Sequence, residues 1–450
     1  MKNTLSAKEV LARLPGGAEG EVYEVHRQVR PLLFRSGALE SLRLSETAGR
    51  ALRVIVDGRL GFSTTTDLDD GSTLVHNALD SAQHGEAVGF HYPSAAEFPQ
   101  VPCFDPEVES LSDEEMIATG KEIIARINAE FPQVQVHVGI RKEVEEIYLL
   151  NTSGLEVSSR RTLLMVQAAA QVVGEQDILF IPDEAASRRR QEVDAQAVAE
   201  NILRLLRWSE RTVPLTSGAM PVVFHHTATA VLLLPLLHGL NGRNVYLRTS
   251  PLSDLLGRPA LDPRLTLVDD GRLPFARLSS PTDDEGTPTA RKTLIQEGVV
   301  RQFLYDLKAA ALAGASSTGN GYRGQSLSGG DFRRRPNVSP ASWLIAPGER
   351  SLKEILGELD QALLVEEVLG LGQGNVIAGE FSNNVELGFL VRRGQVVGRV
   401  KNTMIAGNAY ELLREHLLAL SAEPHWVMGW LHTPAIALDR VSVICGTVER

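Results

Sequence analysis

Hydrophobic positions along this chain switch between two periods. Residues 53–64, RVIVDGRLGFST, alternate as two strands joined at Asp57-Gly58, a pair that tolerates positive φ and so suits a two-residue hairpin turn. From Ser112 the period lengthens. Met116, Ile117, Ile123, Ile124 and Ile127 share one side of a helix, and Ser112 with Glu115 has the spacing of a capping box. QVQVHVGIRK and EEIYLLNTSGLEVSSRRTLLMVQAAAQVV then return to alternation, so strands follow. A second helix is predicted over about 190–209, with Val193, Val198, Ile202, Leu205 and Leu206 as its apolar side. RTVPLTSGAMP at 211–221 is rich in residues that break regular structure, which predicts an N-terminal domain over 1–210 and a C-terminal domain over 211–450.

Beyond that boundary PVVF, 221–224, reads as a short strand leading into the apolar run VLLLPLLHGLNG, 231–242, a helix that ends at His238. Pro235 inside the run lacks a backbone donor and predicts a kink or restart. Hairpin patterns centre on Gly298 and Gly394, Ser351 with Glu354 opens another helix, and a further helix is predicted over about 408–420. The spacing of the glycine-centred hairpins is irregular, which excludes a solenoid or propeller. The fold class that follows is α+β, an N-terminal α/β domain followed by a mainly β C-terminal domain. A length of 450 residues agrees, since it exceeds what one hydrophobic core usually supports.

Composition narrows the setting. Hydrophobic residues at 43% and charged residues at 22% fit an ordinary globular chain. A formal net charge of −11 argues against nucleic acid as the main partner, and the arginine triplets at 188–190 and 333–335 read as solvated faces. Cys103 and Cys445 are too few for a disulfide framework, which fits a reducing compartment. The first residues lack the apolar core of a signal peptide, and the longest apolar run is well short of the roughly 20 residues of a membrane span. A cytoplasmic protein without membrane association is expected.

Several stretches carry candidate chemistry. GNGYRG at 319–324 matches G-x-G-x-x-G, but a helix end precedes it and loop-like QSLSGGDFRRRP follows. The strand and helix of a dinucleotide site are therefore missing, and its glycines are expected to serve turning or close backbone approach. Asp283, Asp284 and Glu285 in PTDDEGTPT could bind a hard cation or divide acid and base roles, or simply form a solvated tight turn. There is no G-x-S-x-G elbow, and neither cysteine has a histidine beside it in sequence. His225 and His226 stand about 18 Å from His238 along a regular helix, too far to share one ion, so each is expected to pack or cap a helix end.

Taken together, RVIVDGRLGFSTTTDL, DDEGTPTARKTLIQEGVVRQFLYD, STGNGYR and GEFSNNVELGFLVRRGQVVGRVKNTMIAGN resemble the TldD/PmbA family, also called modulators of gyrase, over most of the chain. In the TldD branch, the helix after the first C-terminal strand carries His-Glu-x-x-x-His before Gly-Leu-x-Gly and holds zinc. Matching Gly239-Leu240-Asn241-Gly242 to that ending puts His238 at the second histidine, Leu233 at the first and Leu234 at the glutamate. Leucine can neither ligate zinc nor activate water, and the family's late cysteine ligand has no match in SAEPHWVMGWLHTPAIALDR. The resemblance thus implies the PmbA (TldE) branch: no catalytic residue, no metal and no other cofactor. It further implies a cytoplasmic subunit that pairs with a TldD-like zinc subunit, or with itself, to process unfolded peptides. His238, Asp283, Asp284, Glu285, Asn320 and Arg323 are the candidate cleft residues. A self-sufficient hydrolase using the acidic cluster with His238, and a peptide-binding scaffold without peptidase role, are the alternatives.

Overall fold

A computed structural model describes residues 5–174, 178–324 and 331–446. Its first half is one antiparallel sheet of β1 (Glu19–Arg35), β2 (Ala38–Leu42), β3 (Ser45–Val56), β4 (Arg59–Thr65), β5 (Gln135–Asn151), β6 (Glu156–Val173) and β7 (Ile178–Ser187). Spatial order is β4-β3-β1-β5-β6-β7, with β2 paired to β1. The predicted hairpin is β3–β4, and its turn residues Asp57 and Gly58 take φ of 49° and 72°. Helix Gly71–Gln83 lies over β3 and β4. Helices Asp113–Glu130 and Ala195–Ser209 pack on β5, β6 and β7. The Ser112–Glu115 capping box is present, and Met116, Ile123, Ile124 and Ile127 are buried as their spacing predicts.

Strands of the second half form another seven-stranded sheet, in which β8 (Gly218–Phe224) lies between Gln361–Leu369 and Ile436–Cys445. Gln361–Leu369 also pairs with Glu380–Arg392, so the sheet closes on itself as a barrel and hides those edges. PVVF is apolar at every position for a physical reason. Val222 and Phe224 face one hydrophobic core, with the helix Thr229–Gly239, while Val223 faces a second core shared with the N-terminal helices. Leu363 and Val365 against Leu364, and Leu390 against Phe389 and Val391, divide in the same way. With both faces covered, these strands lose the polar half of the alternation. The mixed α+β character holds, and the second core continues across residue 210.

Four expectations are corrected. The helix of 190–209 begins only at Ala195, capped by Asp194, after a 3-10 turn at Arg190–Glu192. The helix of 408–420 stops at Glu415, because Leu417–Leu420 is drawn into pairing with Ile436–Cys445, and that pairing overrides the helical preference of Leu and Ala. Pro235 does not interrupt its helix, which runs from Thr229 to Gly239, where the Tyr410 hydroxyl donates to the Pro235 carbonyl at 2.7 Å. Arg188 is buried rather than solvated, whereas Arg333, Arg334 and Arg335 are exposed as expected. No helix among the described residues is long and apolar enough to cross a membrane.

Helix Gly71–Gln83 approaches β4 so closely that a Cβ on Gly61 would overlap the Ala78 carbonyl and lie 2.8 Å from the Ala82 nitrogen. Backbone atoms cannot step aside as a flexible side chain can. Gly61→Ala should therefore cost roughly 1–3 kcal/mol in chemical denaturation. Gly89→Ala, with open space around its Cβ position, should change little.

Candidate functional site

The DDEGTPT stretch is a tight turn, as its composition suggests, but its carboxylates are not solvated. Asp283, Asp284 and Glu285 are 1%, 7% and 1% exposed, which rules out the solvated-turn reading. Asp283 builds the turn itself. One carboxylate oxygen accepts from the Glu285 and Thr287 nitrogens at 3.0 and 2.9 Å, the other from the Gly321 nitrogen at 2.9 Å, and Gly286 supplies the positive φ of 81°. Asp284 accepts from the Arg323 nitrogen at 2.7 Å. The acidic turn is thus stitched to GNGYRG, whose Gly321–Tyr322 pairs with Asn337–Val338 as a short strand.

The glycines of GNGYRG serve close approach, as expected. Gly319 has φ of 71°, and a Cβ there would lie 2.6 Å from the Pro288 carbonyl; at Gly321 it would overlap the Glu285 carboxylate. The strand Gly321–Tyr322 and the following Arg323 and Gly324 replace the helix that a dinucleotide fingerprint needs, and of the loop-like stretch after it residues 325–330 lie outside the described residues.

Asn320 and Arg323 extend the network in opposite directions. The Asn320 amide donates to Asp269 at 2.9 Å and to the Ser339 carbonyl at 3.0 Å, and its oxygen accepts from Lys292 at 2.7 Å. Lys292 in turn pairs with Asp269 at 3.0 Å. The Arg323 guanidinium donates to Glu21 at 2.8 Å. Glu21 stands opposite Arg53 in the β1–β3 ladder and accepts from it twice, at 2.9 and 2.7 Å, while the third Arg53 nitrogen donates to Glu285 at 2.7 Å. Glu285 also accepts from the Leu307 nitrogen at 2.8 Å. Burial pushes the Glu285 carboxyl up to about 7, against the pull of Arg53. Burial and the charge of Glu285 push Asp283 upward too, against its three backbone donors.

Five of the six candidate residues therefore meet, and His238 does not join them. It sits in the last turn of the helix Thr229–Gly239, half-buried, and burial alone lowers its pKa. It lines neither cavity that borders the network, although Asn241, three residues on, shares one of about 550 Å³ with Glu285 and Arg53. Leu233 is 1% exposed within the apolar core, and Leu234 is partly buried. The aligned positions do not fit a zinc ion: Leu233 and Leu234 offer no lone pair, which leaves His238 as the one donor of that motif. The group of metal-capable side chains found among the described residues, Glu411, Glu415 and His416, lies elsewhere, and both glutamates are exposed.

His225 stands at a helix end as expected, its carbonyl accepting from the Ala228 nitrogen at 3.0 Å, and its ring makes a contact that spacing did not predict. It follows the end of β8, is buried, and its Nδ1 meets Glu366 at 2.8 Å, with the His425 ring 5.7 Å away between centroids. Reading by local spacing missed this pair, as it missed Glu21, Arg53, Lys292 and Asp269, because their partners are remote in sequence. His226 lies in the 3-10 turn His226–Ala228. Cys103 is buried with its thiol donating to the Ser279 carbonyl at 3.2 Å, and both cysteines are unpaired.

An antiparallel sheet beside a closed barrel is a fold with solved members. TldE from Thermococcus kodakarensis superposes with a TM-score of 0.86 at 25% identity, covering 95% of this chain and 97% of that one. The chain belongs to the PmbA/TldA metallopeptidase family: residues 20–83 match its domain 1, 106–210 its central domain and 217–445 its C-terminal domain. Relatives include an uncharacterized protein of Methanocaldococcus jannaschii, 26% identical over 89% of this chain and 91% of its own length. Metalloprotease PmbA of Escherichia coli O157:H7 is 26% identical over 84% and 82%.

Two measurements probe the seam. Arg53→Met leaves Glu285 without its cation and Glu21 with Arg323 alone, and should cost roughly 3–5 kcal/mol in chemical denaturation. The second concerns pH. A carboxyl raised from 4.5 to about 7 by folding binds its proton more readily in the folded chain, so its contribution is fully present below about 4.5 and is lost as pH rises through 7. The melting temperature of the parent relative to Glu285→Gln should therefore fall between pH 5 and 8, and a flat difference would show that Glu285 titrates normally.

Proposed function

We propose that this chain is the non-metallic subunit of a cytoplasmic peptidase complex, which helps enclose an unfolded peptide while a TldD-like zinc subunit hydrolyses it. One observation carries the reading. The helix that by resemblance would carry the zinc motif has Leu233 in the apolar core and Leu234 beside it, and His238 lines neither cavity beside the carboxylates. The likeness to TldE and to metalloprotease PmbA supports the family setting. A self-sufficient hydrolase built on the acidic turn has less support, since Asp283, Asp284 and Glu285 already accept from backbone nitrogens and Arg53.

Peptide capture by strand addition fits the N-terminal sheet. Among the described residues β7 pairs with β6 alone, and its Ile178 and Phe180 are exposed, so the outer edge offers backbone groups and apolar side chains together.

The test is a peptidase assay on an unstructured peptide, with the purified chain alone, with a TldD-like zinc subunit alone, and with both. We expect background cleavage from the chain alone and turnover from the pair above that of the zinc subunit. Elemental analysis should find less than stoichiometric zinc. One tightly held zinc per chain, lost in His238→Ala, would overturn the reading. Failure of the two chains to associate would leave the scaffold alternative in its place.

A further inference from the structure

Beside the ionic seam, between the face of β1, β5 and β6 and the C-terminal half, lies a cavity of about 180 Å³. Its wall holds Arg27, Arg141, Arg161, Arg188, Arg277 and Arg323 against three carboxylates, Glu143, Glu145 and Asp284. Those carboxylates are already engaged. Glu143 and Glu145 both pair with Arg27, Glu143 also with Arg141, and Asp284 accepts from the Arg323 backbone. Arg188 and Arg277 have carbonyl oxygens as their hydrogen-bond acceptors instead. Arg188 donates to the Ala276 and Arg277 carbonyls, and Arg277 to the Met428 carbonyl at 3.1 Å.

The donors that remain are the decisive feature. Among the described residues, Arg188, 5% exposed, has a buried Nη1 without an acceptor. Arg323, 0% exposed, has a buried Nε in the same state, and Nε of Arg141 and Arg161 and the Tyr322 hydroxyl, all on this wall, are likewise buried without acceptors. Buried donors nearly always find partners, and a buried guanidinium without a counter-charge is costly. Burial and the neighbouring Arg161 charge draw Arg188 down to about 10, against the pull of Cys103, Glu145 and Glu143.

We propose that this cavity is a binding site for a compact oxyanion, the chemistry shared by inorganic phosphate and the terminal carboxylate of a peptide. Planar guanidinium forks match such oxygens two at a time, and the volume suits a small anionic group rather than a folded partner. The site stands apart from the zinc-motif helix and does not depend on the peptidase reading.

Calorimetric titration of the full chain at constant ionic strength in chloride tests it with three probes: inorganic phosphate, N-acetyl-dialanine with a free carboxylate, and the same dipeptide as its amide. Saturable one-to-one binding of phosphate, the free acid or both is expected, with none of the amide. Arg188→Met should weaken binding at least tenfold. Arg277→Gln, at a partly exposed position, should weaken it several-fold while its melting temperature in chloride stays at the parent value, which separates lost binding from lost folding. Binding of the acid and not phosphate would identify the source as a peptide terminus; binding of phosphate alone would identify a free anion. No saturable binding of either, or equal binding of acid and amide, would overturn the proposal.

Discussion

Arg53 holds the molecule together at one point, and much of the candidate site depends on it. Its guanidinium spans Glu21 on β1 and Glu285 on the acidic turn, with all three side chains buried. Charges taken out of water at such cost remain favourable only when every lone pair and proton is matched, so the position of each partner is narrowly defined. Once Glu285 is placed, it accepts from the Leu307 nitrogen at a helix start and lies against the Cα of Gly321. Gly321 and Asp283 then carry the order to Asn320, Asp269 and Lys292. The first-half sheet and the second-half turn thus form one electrostatic unit across a separation of more than two hundred positions in sequence.

That separation explains what sequence alone could deliver. The β3–β4 hairpin, the capped helix from Ser112 and the hairpins at Gly298 and Gly394 were legible because each is specified by residues within a few positions of one another. The acidic turn and GNGYRG were legible as unusual stretches, and their glycines as points of close approach, but not as parts of one site. Glu21 reads as an ordinary charge in a strand, and only the partner at Arg53 and the burial of both reveal its role. Leu417–Leu420 failed for a related reason: LLREHLLAL has helical periodicity, and the strand that claims its end lies downstream at Ile436–Cys445.

The helix Thr229–Gly239 shows how packing alone can set a sequence. Between the closed barrel and the helix Ala409–Glu415, its residues are selected by packing: Val231, Leu232, Leu233 and Leu236 all enter the same core. A histidine or glutamate at Leu233 would have to be desolvated within that core, so the packing that stabilises the helix also disfavours a polar side chain there.

The arginine cavity sets the opposite problem within the same chain. The molecule carries a formal charge of −11, so its long-range field opposes the approach of an anion instead of steering it inward. Affinity must then arise at short range, from guanidinium donors that have no acceptor among the described residues and would gain full hydrogen bonds from an oxyanion. Such a site discriminates by contact geometry and not by charge attraction at a distance. The same logic places it beside the ionic seam, where Arg323 donates to Glu21 on one side and lines the cavity on the other. An anion bound there would draw on a guanidinium already oriented by the seam, so little ordering of that side chain would be needed on binding.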